Sequence, residues 1–296
     1  MQAANASQLA EMSMRRHAAV RNRYCGHAGV MSELPPAYAD RRRAEAFGSA
    51  ADDYDRYRPR YPQSLVAGLV AGGGARTLDV GAGTGIASMQ LMEAGAEVLA
   101  VEPDPRMAAV AAGKGIRVEQ ATFEDWQPAG RTFDLVVFAQ SFHWVQPRRA
   151  LKKVASILDP GGRQALLSNR VTPMSPTRQD LDEAYAGHLD VSRRQAIDAV
   201  HDDGLTAIVE GLGFTVERRR VVEQVHYSTD DWVNMVFTHS NVLTLEPQAR
   251  AELRSRLEKR IGAAGVDARK DGVAVICTPP AKPRRRLRGE APEASA

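Results

Sequence analysis

The chain has 296 residues, of which 44% are hydrophobic and 25% are charged, as is ordinary for a soluble globular protein. Its formal net charge of +3 comes from the two ends. Residues 1–31 carry four arginines against one glutamate, and residues 281–296 carry five basic against two acidic residues. The body between them is mildly acidic, which argues against a nucleic-acid partner for the folded part. We expect both basic ends to be solvated and disordered.

Three further features limit the class of protein. No apolar run approaches the roughly 18 to 20 residues that a membrane span requires. The N-terminal segment lacks the apolar stretch of a secretory signal. The two cysteines, Cys25 and Cys277, lie far apart without metal-ligand spacing, so we expect no structural disulfide. A reduced, cytoplasmic location is therefore the expectation.

The first part of the chain divides at its prolines. Residues 1–40 are rich in alanine, arginine and methionine and show no sustained period, so we interpret them as a flexible leader. The aromatic and charged segment 41–61 follows, and Pro59 and Pro62 predict that it is a short helix followed by a turn. A second helix begins within Leu65–Val70 and ends at the glycines of residues 72–74.

From residue 77 onward, predicted strands alternate with predicted helices. The strands are Thr77–Val80, Glu97–Glu102, Ile116–Glu119, Phe133–Ala139 and Arg163–Leu167, and the helices between them are Ile86–Ala94, Pro105–Gly113 (with Asp104 as N-cap) and Pro147–Leu158. The fourth strand is almost continuously apolar, which is typical of a strand buried on both faces of a parallel sheet. This alternation predicts a doubly wound α/β sheet.

After Ser168 the pattern is looser. We predict helices at residues 179–189, 205–211, 229–245 and 246–261, and strands at Phe214–Tyr227 and Gly272–Thr278. The sheet then has seven strands, and the helices inserted near the C-terminus would form a lid over its ligand edge. The expected domain scheme is a leader at 1–40, one α/β domain at 41–280 with a cofactor-binding core at 65–170 and a substrate or lid region at 171–270, and a disordered tail at 281–296.

The first predicted strand runs directly into a glycine-rich turn. Gly81, Gly83 and Gly85 occupy alternate positions before the helix that begins at Ile86. A strand, a glycine turn and a helix together form the geometry that binds a nucleotide-like ligand at a helix N-terminus. A dinucleotide fingerprint would require a small residue in place of Ile86, which disfavours an NAD(P)-dependent oxidoreductase.

Four short motifs follow one another in a specific order. They are Asp79–Gly85 with Glu102 ending the second strand, Ala121–Trp126 after the third strand, Phe133–Val137 in the fourth strand, and Leu158–Gly162 before the fifth. In this order and spacing they resemble the class I S-adenosylmethionine-dependent methyltransferases, over roughly residues 45–170. The resemblance implies a Rossmann-like, mostly parallel sheet with helices on both faces, and S-adenosyl-L-methionine as the cofactor.

The resemblance also implies roles for individual residues. The glycines allow backbone to approach the methionyl and ribose parts of the cofactor, Asp79 lies near its ammonium, and Glu102 accepts hydrogen bonds from both ribose hydroxyls. Relatives often carry Asp where this chain has Thr122, so we expect adenine to meet backbone groups around Thr122 and Phe123. The predicted cofactor-binding residues are Asp79, Gly81, Ala82, Gly83, Thr84, Gly85, Glu102, Pro103, Thr122, Phe123 and Gln140.

The segment after the fourth strand bears on the acceptor. Methyltransferases that modify base amines or glutamine amides typically show Asn/Asp-Pro-Pro-aromatic here, and Gln140–Trp144 lacks that motif. Ser141–Trp144 instead is similar to the small-molecule subgroup, which includes the trans-aconitate methyltransferase-like and methyltransferase type 11-like enzymes. The aromatic segment Tyr54–Pro62 fits the same subgroup, in which an N-terminal segment closes over cofactor and substrate.

His143 is the candidate catalytic residue. Methyl transfer from a sulfonium requires no acid, and a base matters only for an acceptor that starts protonated, such as an alcohol or phenol. A histidine at the carboxyl edge of the sheet is suited to that task. The alternative is that His143 only packs on the cofactor or bonds a carbonyl, and a carboxylate acceptor favours this alternative because it is already ionised.

The predicted substrate-binding residues come from three parts of the chain: Tyr54, Arg58, Tyr61, Phe142, Trp144, Arg170 and His239. Arg58 or Arg170 is suited to binding an anionic substrate through two N–H groups, with a structural ion pair as the alternative for each. His239 has an ordinary helix histidine as its alternative. The remaining histidines have no metal-ligand spacing, so no metal is predicted.

These observations predict a single-domain methyltransferase that transfers a methyl group to an oxygen of a carboxylate or hydroxyl on a small molecule. Carbon or nitrogen of a quinone-like or amine metabolite is the second choice. From other classes, an NAD(P)-dependent oxidoreductase and a catalytically silent adenosylmethionine-binding regulator stay open. We expect no nucleic-acid or membrane partner, and either a monomer or a homodimer.

Overall fold

A computed structural model describes residues 46–70, 72–189 and 207–280 of the chain. All three stretches belong to one unit that spans residues 37–296. The predicted leader at 1–40 and the basic tail at 281–296 lie outside the described residues, so the domain scheme stays a prediction at both ends.

Seven strands form a single sheet. They are β1 (Arg76–Val80), β2 (Glu97–Val101), β3 (Arg117–Glu119), β4 (Phe133–Ala139), β5 (Leu158–Ser175), β6 (Thr215–Tyr227) and β7 (Val266–Thr278). Their order across the sheet is β3-β2-β1-β4-β5-β7-β6. The first five strands pair in parallel, whereas β7 is antiparallel to both of its neighbours. The predicted mostly parallel, seven-stranded α/β sheet is therefore confirmed.

The helices follow the predicted alternation closely in the first half of the chain. They are α1 (Ala51–Tyr57), α2 (Gln63–Ala67), α3 (Ile86–Glu93), α4 (Pro105–Gly113), α5 (Pro147–Ile157), α6 (Arg178–Tyr185), α7 (Thr229–Phe237), α8 (Ser240–Leu243) and α9 (Pro247–Ile261), with short 3₁₀ turns at Phe47–Ala50, Phe142–Trp144 and Gly262–Ala264 and a helical turn at residues 207–211. Asp104 caps α4 as predicted, because its carboxylate accepts the N–H groups of Arg106 and Met107 at 2.8 and 3.2 Å. Within the described part of the chain, every helix is too short or too polar to cross a membrane.

The central strand β4 shows why both faces of the sheet are covered. Leu135 and Val137 pack with α2 and α3 on one face, and Val136 and Phe138 pack with α5 on the other. All four side chains are at most 1% exposed. Side chains alternate between the two faces along a strand, so a run that is apolar at every position must be buried on both sides.

The second half of the sheet extends beyond the first. β4 ends at Ala139, opposite Leu167, but β5 continues to Ser175 and pairs there with β7, which itself pairs with β6. We call this extension the overhang: Ser168–Ser175, Val221–Tyr227 and Val266–Gly272. The prediction that the fifth strand ends at Leu167 and the last begins at Gly272 was therefore too short. Polar residues and a proline hide the pattern of these strands, and pairing with each other satisfies their backbone groups.

A separate helical layer packs on the overhang. Leu181 of α6, Val233 of α7 and Leu253 of α9 are almost fully buried there, together with Val266 and Ala268 of β7. The single helix predicted at 229–245 is wrong, since α7 ends at Phe237 and the short α8 begins at Ser240. Thr238 ends α7 by donating its hydroxyl proton to the carbonyl of Met235 at 2.6 Å. The predicted helix at 179–189 also ends early, at Tyr185, before Gly187 in a left-handed conformation.

Candidate active site

The glycine turn between β1 and α3 depends on backbone conformations that other residues avoid. Gly81, Gly83 and Gly85 have φ angles of +66°, +58° and +80°. A Cβ on Gly81 would lie 2.7 Å from that of Ser141, and one on Gly85 would overlap Ile116. A Cβ on Gly83 would meet only a methionine methyl, at 3.4 Å. Protein packing therefore requires Gly81 and Gly85, whereas a Cβ on Gly83 would make only an ordinary contact, so packing does not explain the glycine at that position.

The rest of the turn is held by backbone groups and one lysine. Gly81 and Ala82 both donate their N–H groups to the carbonyl of Val101 in β2, at 2.8 and 3.2 Å. Thr84 is fully buried, and its carbonyl accepts a hydrogen bond from the Lys114 ammonium at 2.8 Å. The Thr84 hydroxyl has no hydrogen-bond partner. The sequence-predicted Ala82 and Thr84 thus shape the turn chiefly through their backbone.

Asp79 lies one residue before the end of β1 and is fully buried. One carboxylate oxygen accepts a hydrogen bond from the Ser88 hydroxyl at 2.6 Å, and the other has no partner among the described residues. Burial raises the pKa of this carboxyl to about 6. A buried acceptor without a donor is costly, so the site favours a ligand that supplies one, such as an ammonium group.

Glu102 follows β2 and faces the same edge of the sheet. Its two oxygens accept the N–H groups of Gly83 at 2.8 Å and Asp104 at 2.9 Å. Burial raises the pKa of Glu102 to about 7, against the lowering effect of these two bonds. Each carboxylate oxygen has a further lone pair, so the fixed carboxylate can still accept two ribose hydroxyls. Pro103, also a predicted contact, is exposed directly after it.

The turn after β3 comes next along this edge. The Thr122 hydroxyl donates to the carboxylate of Asp125 at 2.7 Å and accepts the Asp125 N–H at 3.2 Å. The Phe123 side chain lies in the core, stacked on Trp126 and edge-on to Phe138. Neither side chain is directed to a ligand, which agrees with the expectation that backbone groups of this turn meet the adenine.

The segment after β4 closes the edge on the other side. Gln140 has a φ angle of +56°, and its side-chain amide donates to the carbonyl of Asn169 at 3.1 Å. The Ser141 hydroxyl donates to the carbonyl of Val80 at the end of β1. Phe142 packs edge-on against Phe138 in the core, which removes it from the predicted substrate contacts.

His143 and Trp144 remain at the edge after Phe142 enters the core. Both are half-buried, and their ring centroids lie 4.7 Å apart. The Phe47 ring stands edge-on to Trp144 at 6.1 Å and to Tyr54 at 5.7 Å. The N-terminal aromatic segment therefore packs on Trp144, the residue after the predicted base, and we call residues 47–61 the cover.

The cover brings three predicted substrate residues together. The Arg58 guanidinium lies 4.8 Å from the centre of the Tyr54 ring and donates to the carbonyl of Thr238 at 3.2 Å. Its Nε is buried without a hydrogen-bond partner, and none of the described residues forms an ion pair with it. Tyr61 is buried beside Asp79, and desolvation raises the pKa of its phenol well above the ordinary value. Tyr54, Arg58 and Tyr61 thus meet next to Asp79.

Asn169 is a site residue that the sequence did not single out. It is the second residue of the overhang, is 6% exposed, and donates its amide N–H groups to the carbonyls of Pro59 and Arg60 at 3.2 and 2.9 Å. None of the described residues donates a hydrogen bond to its buried amide oxygen. A polar residue shortly after a buried strand at the carboxyl edge was the available signal.

Two predicted substrate residues lie differently from the expectation. Arg170 follows Asn169 in β5 and is exposed, and since side chains alternate it projects from the face opposite the cover. His239 is not within a helix but between α7 and α8, where its Nδ1 lies 2.9 Å from the carbonyl of Val236. Among the described residues no group of three metal-ligating side chains occurs, so the prediction of no metal meets no contrary observation there.

The residues at this edge fit adenosylmethionine. The Asp79 oxygen that has no partner among the described residues suits the ammonium of the methionyl group, Gly83 keeps side-chain atoms off the backbone of the turn, and the carboxylate of Glu102 suits the ribose hydroxyls. The fold and these groups define a nucleotide-cofactor-binding α/β protein with two carboxylates flanking a glycine turn.

Comparison with known proteins narrows this class. Residues 78–166 match the family model described as a methyltransferase domain. The chain is 32% identical over 233 residues to uncharacterised methyltransferases of Mycobacterium tuberculosis and Mycobacterium bovis, which covers 78% of this chain and 91% of theirs. A solved methyltransferase structure from Anaeromyxobacter dehalogenans, at 21% identity, covers 75% of this chain and 97% of its own with a TM-score of 0.51, which shows the fold. The protein belongs to the class I S-adenosylmethionine-dependent methyltransferases, and its cofactor is S-adenosyl-L-methionine.

Alanine substitutions at Gly83 and Gly85 should have different effects on stability and on ligand binding. Both Gly83→Ala and Gly85→Ala place a side chain at positive φ, which costs about 1–2 kcal/mol. Gly85→Ala also overpacks against Ile116, so its free energy of unfolding in urea should fall by about 1–3 kcal/mol more. Gly83→Ala should instead fold well and bind S-adenosylhomocysteine poorly in calorimetry. Equal stability losses with unchanged binding would refute this division of roles.

Glu102 predicts a pH dependence of cofactor affinity. Ribose hydroxyls bind the ionised carboxylate, and burial raises its pKa in the free protein to about 7, so protons compete below that value. The Kd for S-adenosylhomocysteine should rise up to about tenfold per pH unit below 7 and level off above it. Glu102→Ala should bind at least about tenfold more weakly at pH 8, with a flat profile between pH 6.5 and 8. An unchanged Kd in the variant would remove Glu102 from the site.

Proposed function

We propose that this methyltransferase acts on a small molecule and transfers the methyl group to an oxygen, with a carboxylate as the first choice of acceptor and a hydroxyl as the second. The observation that carries the proposal is the Arg58 guanidinium, which lies at the covered edge next to Tyr54 and Tyr61 without an acidic partner among the described residues. A partly buried cation of this kind favours an anionic ligand.

The cover supports a small acceptor. Asn169 holds its Pro59-Arg60 turn, Lys114 binds Asp55 of α1 and the Thr84 carbonyl together, and Arg58 reaches the Thr238 carbonyl between α7 and α8. These contacts join the cover to the glycine turn, to β5 and to the helical layer. A polymer chain would have to displace these contacts, which favours a small acceptor.

The chemistry requires little from the protein beyond position. The bound cofactor supplies an electrophilic methyl group on a sulfonium, which a nucleophile displaces in line. Arg58 would orient an acceptor carboxylate, Tyr54 and Trp144 would exclude water, and a carboxylate needs no base because it is ionised at neutral pH. For a hydroxyl acceptor His143 would take the proton. A cationic amine is disfavoured because Arg58 repels it.

A labelling experiment tests the acceptor. The protein is incubated with methyl-labelled adenosylmethionine and a panel of organic acids, phenols, amines and quinones, and products are read by mass spectrometry. We expect the label on an acid as a methyl ester, from which mild alkali releases labelled methanol. Label confined to amines or to quinone carbon would overturn the proposal in favour of N- or C-methylation.

Arg58 has a matched control two residues earlier, within α1. Arg56 lies 5.2 Å from the Tyr57 ring but is exposed. Arg58→Gln should raise the KM for the acid acceptor at least about tenfold, through loss of a charge-assisted hydrogen bond, while Arg56→Gln leaves it unchanged. The Kd for S-adenosylhomocysteine should change less than about twofold in both. A loss of cofactor affinity without a change in acceptor KM would mean that Arg58 binds the methionyl carboxylate instead.

Substitution of His143 should distinguish a carboxylate acceptor from a hydroxyl acceptor. With a carboxylate, His143→Ala should leave kcat within about threefold, whereas with a phenol or alcohol kcat should fall about 10²–10⁴-fold. His226→Ala is the control, since that exposed histidine bonds Asp267 on the overhang. If kcat falls equally with both acceptors, His143 is a packing residue and the general-base role is wrong.

A further inference from the structure

The order of strands predicts where the adenine lies. The glycine turn follows β1 and Glu102 follows β2, and β3 is the next strand outward in the sheet. A ligand with its methionyl group at β1 and its ribose at Glu102 therefore extends its base toward the turn after β3, residues 122–126. This placement rests on the assignment of Glu102 to the ribose.

Lys153 of α5 binds that turn on the side that faces α5. Its ammonium donates to the carbonyl oxygens of Phe123 at 2.5 Å and Glu124 at 3.2 Å, and to that of Trp126. An ammonium has three N–H donors, and here all three meet backbone carbonyls. It also lies 4.9 Å from the centre of the Phe123 ring and 5.6 Å from that of Trp126. One charge thus determines the direction of three peptide groups.

This direction matters for the opposite face of the turn. In a trans peptide group the C=O and the N–H point in opposite directions, so carbonyls held on α5 direct the following N–H groups away from it. The Asp125 N–H shows the result, because it bonds the Thr122 hydroxyl on that opposite face. Since the Thr122 hydroxyl donates its own proton to Asp125, it has none left for a base. Backbone groups are what this turn offers a ligand.

We propose that Lys153 is a positioning residue for the cofactor's adenine: its ammonium holds residues 122–126 in the conformation in which backbone N–H groups meet the ring-nitrogen edge of the base. Adenine presents ring-nitrogen acceptors and an amino donor, whereas hypoxanthine presents a carbonyl acceptor and a ring N–H. A turn that is fixed by Lys153 discriminates between these patterns, and a turn that relaxes does not.

The turn has other supports that keep it folded without the lysine. The Trp126 indole donates to Glu119 at 2.6 Å, and Glu119 also binds the Arg131 guanidinium through both oxygens, at 2.6 and 2.9 Å. Phe123 and Trp126 are buried in the core. Removing the charge of Lys153 therefore frees the peptide groups while their side chains stay anchored.

The experiment compares Lys153→Met with Lys152→Met, since Lys152 is the exposed neighbour on the same helix. Calorimetry measures the Kd of each protein for S-adenosylhomocysteine and for its hypoxanthine analogue, S-inosylhomocysteine. In Lys153→Met we expect at least about tenfold weaker binding of the adenine ligand and a much smaller loss for the analogue, so that the ratio of the two Kd values falls. Lys152→Met should match the unaltered protein.

Two controls decide between a positioning role and a merely structural one. Thermal unfolding of the free variants shows whether they fold, and a loss of the same factor for both ligands would overturn the proposal. If Lys153→Met does not fold, Lys153→Gln, which keeps two N–H donors, is measured with the same ratio as the criterion. Failure of the unaltered protein to bind S-adenosylhomocysteine would instead contradict the cofactor site, so the two failures are distinguishable.

Discussion

The burial of two carboxylates is the constraint on which this site depends. Asp79 and Glu102 stand at the ends of adjacent strands, desolvation raises the pKa of both, and no described residue forms an ion pair with either. A buried charge without compensation is costly. The protein compensates only in part, through the Ser88 hydroxyl and two backbone N–H groups. The capacity that remains suits an ammonium and two ribose hydroxyls, and we propose that the cofactor completes this network when it binds.

The cover is attached to the cofactor edge of the sheet by a few polar contacts, and these bear on the acceptor. Lys114 binds Asp55 of α1 and the carbonyl of Thr84 in the glycine turn, so one ammonium joins the cover to the backbone beside the cofactor. Asn169 joins the cover to β5. If the acceptor is the anion that we propose, exclusion of water beneath these contacts would strengthen its interaction with Arg58, because water would no longer screen the charges. The contacts that close the cover over this edge would therefore also strengthen the electrostatic interactions beneath it.

The sequence predicts the first half of the sheet well and the second half poorly, for a physical reason. β1, β2 and β4 are short and largely apolar, and a glycine lies within three residues before each, so local pattern is sufficient. The overhang consists of polar, alternating strands whose stability comes from pairing with one another, and no local signal marks it.

In the site, the positions of Asp79, Glu102 and the cover aromatics at one edge of the sheet were predictable from motif and order. The packing roles of Gly81 and Gly85 were not, because Ser141 and Ile116 come from distant parts of the chain. The same holds for the partners of Asn169.

The overhang also affects how such an enzyme can change its chemistry. Its helical layer forms a hydrophobic cluster separate from the two clusters that cover the faces of the main sheet. Substitutions in α6, α7 or α9 therefore alter the wall near Thr238 without disturbing the packing beneath the glycine turn. Under our proposal for the acceptor site, a lineage can therefore change acceptor preference through mutations that reshape the wall near Thr238, while the packing beneath the glycine turn is inherited intact.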